Sequence, residues 1–291
     1  MAKKLYNPLW FQFWKIWNKI GPPWRPSEKE IKWWGKKSTG LKKRNKKLKA
    51  LVLGSTPEIR DMLAKNKIDT TLLDANRSMY EAMNKLTKRR NKKEKLVIGN
   101  WLDMDKVLGK NKFDFVIGDA PHCNLAFKTW PRFFEGLYNV LKPGGYFMVG
   151  SITLEFSERQ TVDDLLKKYK KNKKYFNDFK NRLWELYKLA DEKEVWINRV
   201  RGFSYEAVRK LLKREGSKRK IGLKEIDENL WFLSGDINGE ALGPYIEVMP
   251  PLEEQINLQS KWFYLDDLYL VPDHPAFKIR RAMILRSKKG K

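Results

Sequence analysis

The stretch "GDAPHCN" (118–124) sets a carboxylate, Asp119, three residues before an imidazole, His122. Either group could take a proton from a bound hydroxyl or amine, the ordinary work of a general base. Each also has a plainer role, Asp119 as a cap for the next turn and His122 as a packed loop residue. Upstream, Gly54 is followed twenty residues later by Asp74. A carboxylate at that distance beyond a glycine turn can accept both hydroxyls of a ribose. Later, "GNWLD" (99–103) offers the Asn100 amide to an adenine amino group, the Trp101 backbone N–H to a ring nitrogen and Leu102 to the face of the base. These residues describe a nucleoside site beside a proton acceptor.

The elements that must position them alternate in type. "KALVLGS" (49–55), "DTTLLDA" (69–75), "EKLVIGN" (94–100), "FDFVIGD" (113–119) and "YFMVGSI" (146–152) are short apolar runs that read as strands. Helical stretches separate them: "TPEIRDMLAK" with Thr56 as cap and Pro57 in the first turn, "SMYEAMNKL" with Ser78 and Glu81 in capping-box spacing, and "TWPRFFEGLYNVL". In the last of these, Trp130, Phe133, Leu137 and Leu141 share a face, and "KPGG" stops the helix. Strands alternating with helices predict an α/β fold, a doubly wound and mostly parallel seven-stranded sheet with an antiparallel last strand. Ligands of such sheets bind at the carboxyl ends of the strands, where the candidate residues fall.

Which nucleoside ligand is decided at the first turn, "GSTPEI" (54–59). A dinucleotide needs a glycine-rich turn so that backbone can approach two phosphates. Here only Gly54 is present, Ser55 and Thr56 follow it, and Glu58 sets a negative charge where phosphates would lie. S-adenosylmethionine carries no phosphate and passes only its zwitterionic methionine end along this turn. The ordered set "VLGSTPEI", "LLDANRSM", "VIGNWLDM", "FDFVIGDA" and "LKPGGYFMV", over roughly residues 48 to 153, resembles the class I S-adenosylmethionine-dependent methyltransferases. The resemblance implies Gly54 with Ser55 and Thr56 at the methionine moiety, Asp74 with Ala75 at the ribose, Asn100, Trp101 and Leu102 at the adenine, and Asp119 near the methionine end. Two departures matter: the usual acidic residue two before the first glycine is Val52, and the later glycines are missing. Methyl transfer from a sulfonium asks a protein to align the acceptor and exclude water, with a base where the acceptor must lose a proton.

Residues 155–250 change character. "TVDDLLKKYKKNKKYFNDFKNRLWELYKLADE" and "SYEAVRKLLKREG" read as charged helices capped by Thr161 and Ser204, a mainly helical insertion that contributes to acceptor selection. Residues 251–291 supply a closing helix, "PPLEEQINLQS", and an antiparallel strand pair, "KWFYLDDLYLV" and "FKIRRAMILRS". The core is thus expected over 41–154 and 251–291, with residues 1–40 as a Trp-rich helical lid. In that segment, positions 9–20 form an amphipathic helix, and Ser27 with Glu30 starts another. Arg25, between them, is expected to reach the donor's carboxylate and offset the missing glycines.

Composition bounds the rest. The 291 residues carry a formal charge of +26, yet the lysines are spread over most surface segments, which solvated faces explain. An RNA or other nucleic-acid acceptor therefore stays open, below a small molecule or peptide; a catalytically silent binding protein of the same fold is the third reading and a dehydrogenase the fourth. One cysteine and two histidines provide no metal set. Apolar runs stop well short of the roughly 20 residues a bilayer span requires, no cleavable leader is evident, and the chain reads as cytoplasmic. A Trp-rich face on a membrane surface is the lesser reading of the N-terminal segment. The acceptor and the oligomeric state are not written in the sequence.

Overall fold

The computed structural model describes residues 14–17, 25–153, 158–198, 201–223, 236–237, 240–241, 246–273 and 279–290. The chain divides into two compact units, Met1–Thr153 with Pro251–Lys291, and Leu154–Pro250.

The first unit is built on a seven-stranded sheet in the order β11-β12-β5-β4-β1-β2-β3. β1 (Lys49–Leu53), β2 (Asp69–Asp74), β3 (Glu94–Ile98), β4 (Phe113–Asp119) and β5 (Leu141–Ile152) run parallel. β12 (Arg280–Ser287) is antiparallel to both β5 and β11 (Phe263–Leu270), so one strand of the seven is reversed. Ala50, Leu51, Val52, Val116 and Ile117 are fully buried, as continuous apolar runs must be in strands covered on both faces. The register aligns the strand ends. Leu53 lies beside Leu73 and Gly118, Asp74 beside Ile98, Asp119 beside Gly150, and Arg280 beside Ile152. Gly54, Asp74, Asp119 and the first residue of β12 therefore share one edge.

Among the described residues two helices precede β1. α1 (Trp14–Trp17) is short, and α2 (Glu28–Arg44) opens with the capping box predicted from the sequence: the Ser27 side chain accepts from the Glu30 N–H, and Glu30 accepts from the Ser27 N–H. The reading of this segment as a lid is corrected over α2. Trp34 is completely buried in the core with Val52, Ile59, Ile117, Met148 and Ile284, and burying so large an apolar side chain is what fixes α2 to the sheet. Trp33 stacks on Tyr269 at 5.4 Å. Most of the amphipathic stretch 9–20, and Trp10 and Trp24, lie outside the described residues.

α3 (Pro57–Lys65), α4 (Arg77–Asn84), α5 (Met104–Leu108), α6 (Trp130–Val140) and, late in the chain, α10 (Leu252–Gln259) complete this unit. Local chemistry differs from expectation at three points. Thr56 precedes α3 but its side chain makes no cap bond. α4 is capped by Asn76, whose Oδ1 accepts the Ser78 N–H at 3.0 Å, in place of Ser78; an asparagine caps as well as a serine and sits two residues nearer β2. "KPGG" is part of β5: Phe113 pairs with Leu141 and Phe115 with Tyr146, so the extra residues bulge out, with Gly144 at φ +67°.

The second unit contains α7 (Val162–Lys171), α8 (Phe179–Tyr187) and α9 (Tyr205–Lys218). Thr161 and Ser204 cap α7 and α9 as predicted. The long first helix is interrupted at Asn172, whose side chain accepts the Tyr175 N–H and starts a separate 3-10 turn. A three-stranded antiparallel sheet of β6 (Trp196–Ile197), β7 (Gly202–Ser204) and β10 (Ile246–Val248), absent from the helical reading, packs into this unit, and β8 (Asp236–Ile237) pairs with β9 (Glu240–Ala241). Its core holds Glu247, buried and satisfied by the hydroxyls of Tyr187 and Tyr205 at 2.6 and 2.5 Å. Among the described residues no helix is long and apolar enough to cross a membrane.

Candidate active site

At the end of β1 the chain turns at Gly54 with φ +89°, a conformation that favours glycine, and its N–H donates to the Leu73 carbonyl at 3.0 Å. This ties the turn to β2. Asp74, at the end of β2 and largely buried, accepts from the Ser55 hydroxyl at 2.7 Å and from the Asn76 N–H at 2.9 Å. Burial pushes its carboxyl above the ordinary range, and the two donors pull it back. Gly54, Ser55 and Asp74 thus form one connected corner.

The residues after β3 make local contacts that the sequence did not announce. Asn100 caps a 3-10 turn, accepting the Leu102 N–H at 3.0 Å. The Trp101 indole N–H donates to the Leu73 carbonyl at 2.8 Å, and its ring would lie 3.7 Å from a Cβ added to Gly54. Its side chain therefore spans the ends of β2 and β1, over the corner that holds Asp74. The sequence reading gave Trp101 only a backbone role; a large aromatic directly after a strand was the signal for more.

Glu58 occupies the first turn of α3. Its Oε1 accepts from the Arg25 guanidinium at 2.7 Å and the Trp17 indole at 3.0 Å, while Oε2 is buried with no partner among the described residues. Burial pushes this carboxyl up, against the pull of Arg25 and Trp17. Arg25 was expected to face the donor; its guanidinium is instead engaged by Glu58 and by the Trp17 carbonyl at 2.9 Å.

The largest feature was not foreseen. Arg280, completely buried, donates to Glu30 of α2 at 2.8 Å and to Asp119 at 2.6 Å. One guanidinium bridges two carboxylates, from a helix at the start of the chain and a strand end in its middle. Gly150 makes room for it: an added Cβ would stand 2.1 Å from Arg280 Nη2. Asp119 is therefore not the free base the sequence suggested but half of an ion pair. The chain leaves it sharply, Ala120 taking φ +47° with its N–H on the Gly150 carbonyl, a left-handed non-glycine residue of the kind that clusters at functional sites.

His122 is corrected more strongly. It is completely buried, edge-on to Trp130 at 4.7 Å, with Nε2 2.9 Å from Ser151 Oγ. Ser151 donates onward to Gln255 Oε1 at 2.5 Å, and Gln255 Nε2 to the Ile152 carbonyl at 3.0 Å. Since the serine proton is directed to Gln255, Nε2 carries hydrogen and Nδ1, which has no partner among the described residues, is bare. Desolvation holds the imidazole down to about 4, so it is neutral. It ties the loop to β5 and α10 and does not face the open edge. Among the described residues no group of side chains could hold a metal ion.

A sheet with a single reversed strand, a glycine turn after β1 and a carboxylate ending β2 define a Rossmann-like nucleoside-binding fold. The sequence profile described as a methyltransferase domain matches residues 56–216, more than half of the chain, and the chain belongs to that family. It is a methyltransferase. Among solved structures, the CcbJ methyltransferase of Streptomyces caelestis is similar at TM-score 0.54 and 12% identity, covering 96% of this chain and 97% of that one. A protein of Pyrococcus horikoshii OT3 is similar at TM-score 0.52 and 13% identity, covering 94% and 98%. At these identities they share the fold. No curated protein matches the sequence.

Proposed function

We propose that this enzyme transfers the methyl group of S-adenosylmethionine to a small molecule or peptide. The donor supplies an electrophilic methyl carbon. The observation that carries this reading is the Gly54–Ser55–Asp74 corner, a buried carboxylate at the end of β2 beside a turn of positive φ. Asp74 would accept the ribose hydroxyls, with Ala75 beside it. Asn100, Trp101 and Leu102 would meet the adenine. At the methionine end Glu58 answers the absence of an acid at Val52: its Oε2, buried with no partner among the described residues, suits an ammonium, which has only donors. Arg25 holds that carboxylate in place from the other side. Asp119, oriented by its ion pair with Arg280, can accept a hydrogen bond from an acceptor hydroxyl or amine and hold it in line.

Two results test the assignment. Asp74→Asn should weaken binding of S-adenosylhomocysteine about ten- to a hundred-fold in calorimetry, the scale of one charge-assisted hydrogen bond; an unchanged affinity would remove Asp74 from the donor site. A smaller change is expected at Glu58→Gln, about five-fold and confined to ligands bearing the amino group, with adenosine bound equally by both proteins. Labelled methyl transfer into a small-molecule fraction of cell extract supports the acceptor class; label found only in RNA would replace it. Within this reading the enzyme works in the cytoplasm, which accords with its single cysteine, the buried Cys123.

A further inference from the structure

A cavity lies in the first unit, apart from every residue of the donor corner. It measures about 700 Å³, and its lining includes Arg60, Arg89, Arg90, Asn91, Lys92 and Glu94. Four cations face one carboxylate there.

Arg60 is the inner wall. Its side chain is 4% exposed, with Nε and Nη2 bound to Glu94 at 3.0 and 2.6 Å, Nη2 also on Asn84 at 2.5 Å, and the guanidinium 4.8 Å from the Tyr80 ring centroid. Nη1 is buried and has no partner among the described residues. A buried N–H of a cation left without an acceptor is costly, so an acceptor in the adjoining cavity would be bound with that advantage. The outer wall is a loop whose backbone is already fixed. Asp61 accepts the N–H groups of Lys88 and Arg89 at 2.9 and 2.8 Å, and Asn91 Nδ2 donates to the Ile68 carbonyl at 2.9 Å and to Thr70 Oγ1 at 3.2 Å. The exposed Arg89, Arg90 and Lys92 side chains thus spring from a held frame, and little ordering is needed when a ligand arrives.

We infer that this cavity is a binding site for a phosphate group, with Arg60 Nη1 as its buried donor and Arg89, Arg90 and Lys92 as its charged rim. Glu94 neutralises Arg60, so the rim supplies the net positive charge. Paired N–H groups of arginine match phosphate oxygens in geometry as well as in sign. The phosphate can be free or part of a polynucleotide backbone; the chemistry is shared, and the test separates them.

Equilibrium dialysis with labelled inorganic phosphate and fluorescence anisotropy with a ten-nucleotide single-stranded RNA are run on the full chain. Arg89→Ala/Arg90→Ala is the main variant, since both side chains are exposed and the fold does not rest on them. Arg60→Lys keeps a charge but lacks the fork. Lys170→Ala/Lys171→Ala removes equal charge from α7 as a control. A fall of ten-fold or more in phosphate affinity in both cavity variants, with the control unchanged, supports the site. If RNA affinity falls with it, the polynucleotide is the source; if RNA does not bind or is unaffected, free phosphate or a small phosphate ester is. Failure of phosphate to bind at millimolar concentration, or equal losses in variants and control, overturns the inference. Binding of S-adenosylhomocysteine is measured alongside and is unchanged in the Arg89/Arg90 variant, so this result stands apart from the donor assignment.

Discussion

Replacing Arg280 by methionine lowers the stability of the folded chain by about 3–5 kcal/mol, the cost of leaving buried charge without its partner. Glu30 is completely enclosed and Asp119 nearly so, and in the wild type both are answered by the one guanidinium. Methionine fills much of the volume but offers no donor, so two carboxylates would face each other across an apolar gap. Urea unfolding followed by tryptophan fluorescence measures the loss. Adding Glu30→Gln to Arg280→Met should restore part of it, because a neutral amide removes the repulsion with Asp119. A single-variant loss below about 1 kcal/mol would mean that water reaches the network and screens it, as at exposed pairs.

The second large effect is a pair of opposing pH dependences. Burial, helped by Asp119 and resisted by Arg280, raises the Glu30 carboxyl from 4.5 to about 7. Between these values the native state holds a proton that the unfolded chain has released, so stability falls as pH rises. His122 is the reverse case, lowered from 6.5 to about 4 by desolvation. Between 4 and 6.5 the unfolded chain takes up a proton that the native state refuses, so stability rises with pH. The two contributions oppose one another across pH 4.5–6.5 in the wild type. Glu30→Gln should therefore uncover a rise of about 3 kcal/mol from pH 4 to 6.5, the His122 contribution alone, and His122→Asn a fall in stability as pH rises above 4.5. Parallel profiles for the two variants would show that neither group titrates as its surroundings require.

The elements that were legible in the sequence are those fixed by neighbours along the chain. The runs ending at Gly54, Asp74 and Asp119 are continuous and apolar because parallel strands are covered on both faces, and the Ser27/Glu30 capping box lies within four residues. What escaped was set by partners far away. Arg280 reads as one of several basic residues in "FKIRRAMILRS", yet alternation puts it on the face of Ala282 and Ile284, where a cation demands a counter-charge; that was the available signal. His122 looked like a base because loops after β4 carry chemistry, but Ser151 and Gln255, both distant in sequence, enclose it. Trp34 sits in a segment whose aromatic density suggested a cover, and only the packing against Val52 and Ile284 assigns it to the core.

Glu30 and Arg280 are separated by 250 positions, and this has a consequence for synthesis. On the ribosome, α2 emerges before β4, each carrying a carboxylate destined for burial, while the cation that neutralises both follows only after both. Until then, enclosing Glu30 beside Asp119 is unfavourable, and closing so long a loop is itself slow. The nascent chain can form β1–β4 and their helices but is discouraged from docking α2 early. Final packing of the N-terminal helix, and with it the setting of Asp119 at the site, is coupled to the insertion of β12 between β5 and β11. A chain stalled before that strand would therefore leave Glu30 and Asp119 without the guanidinium that answers both.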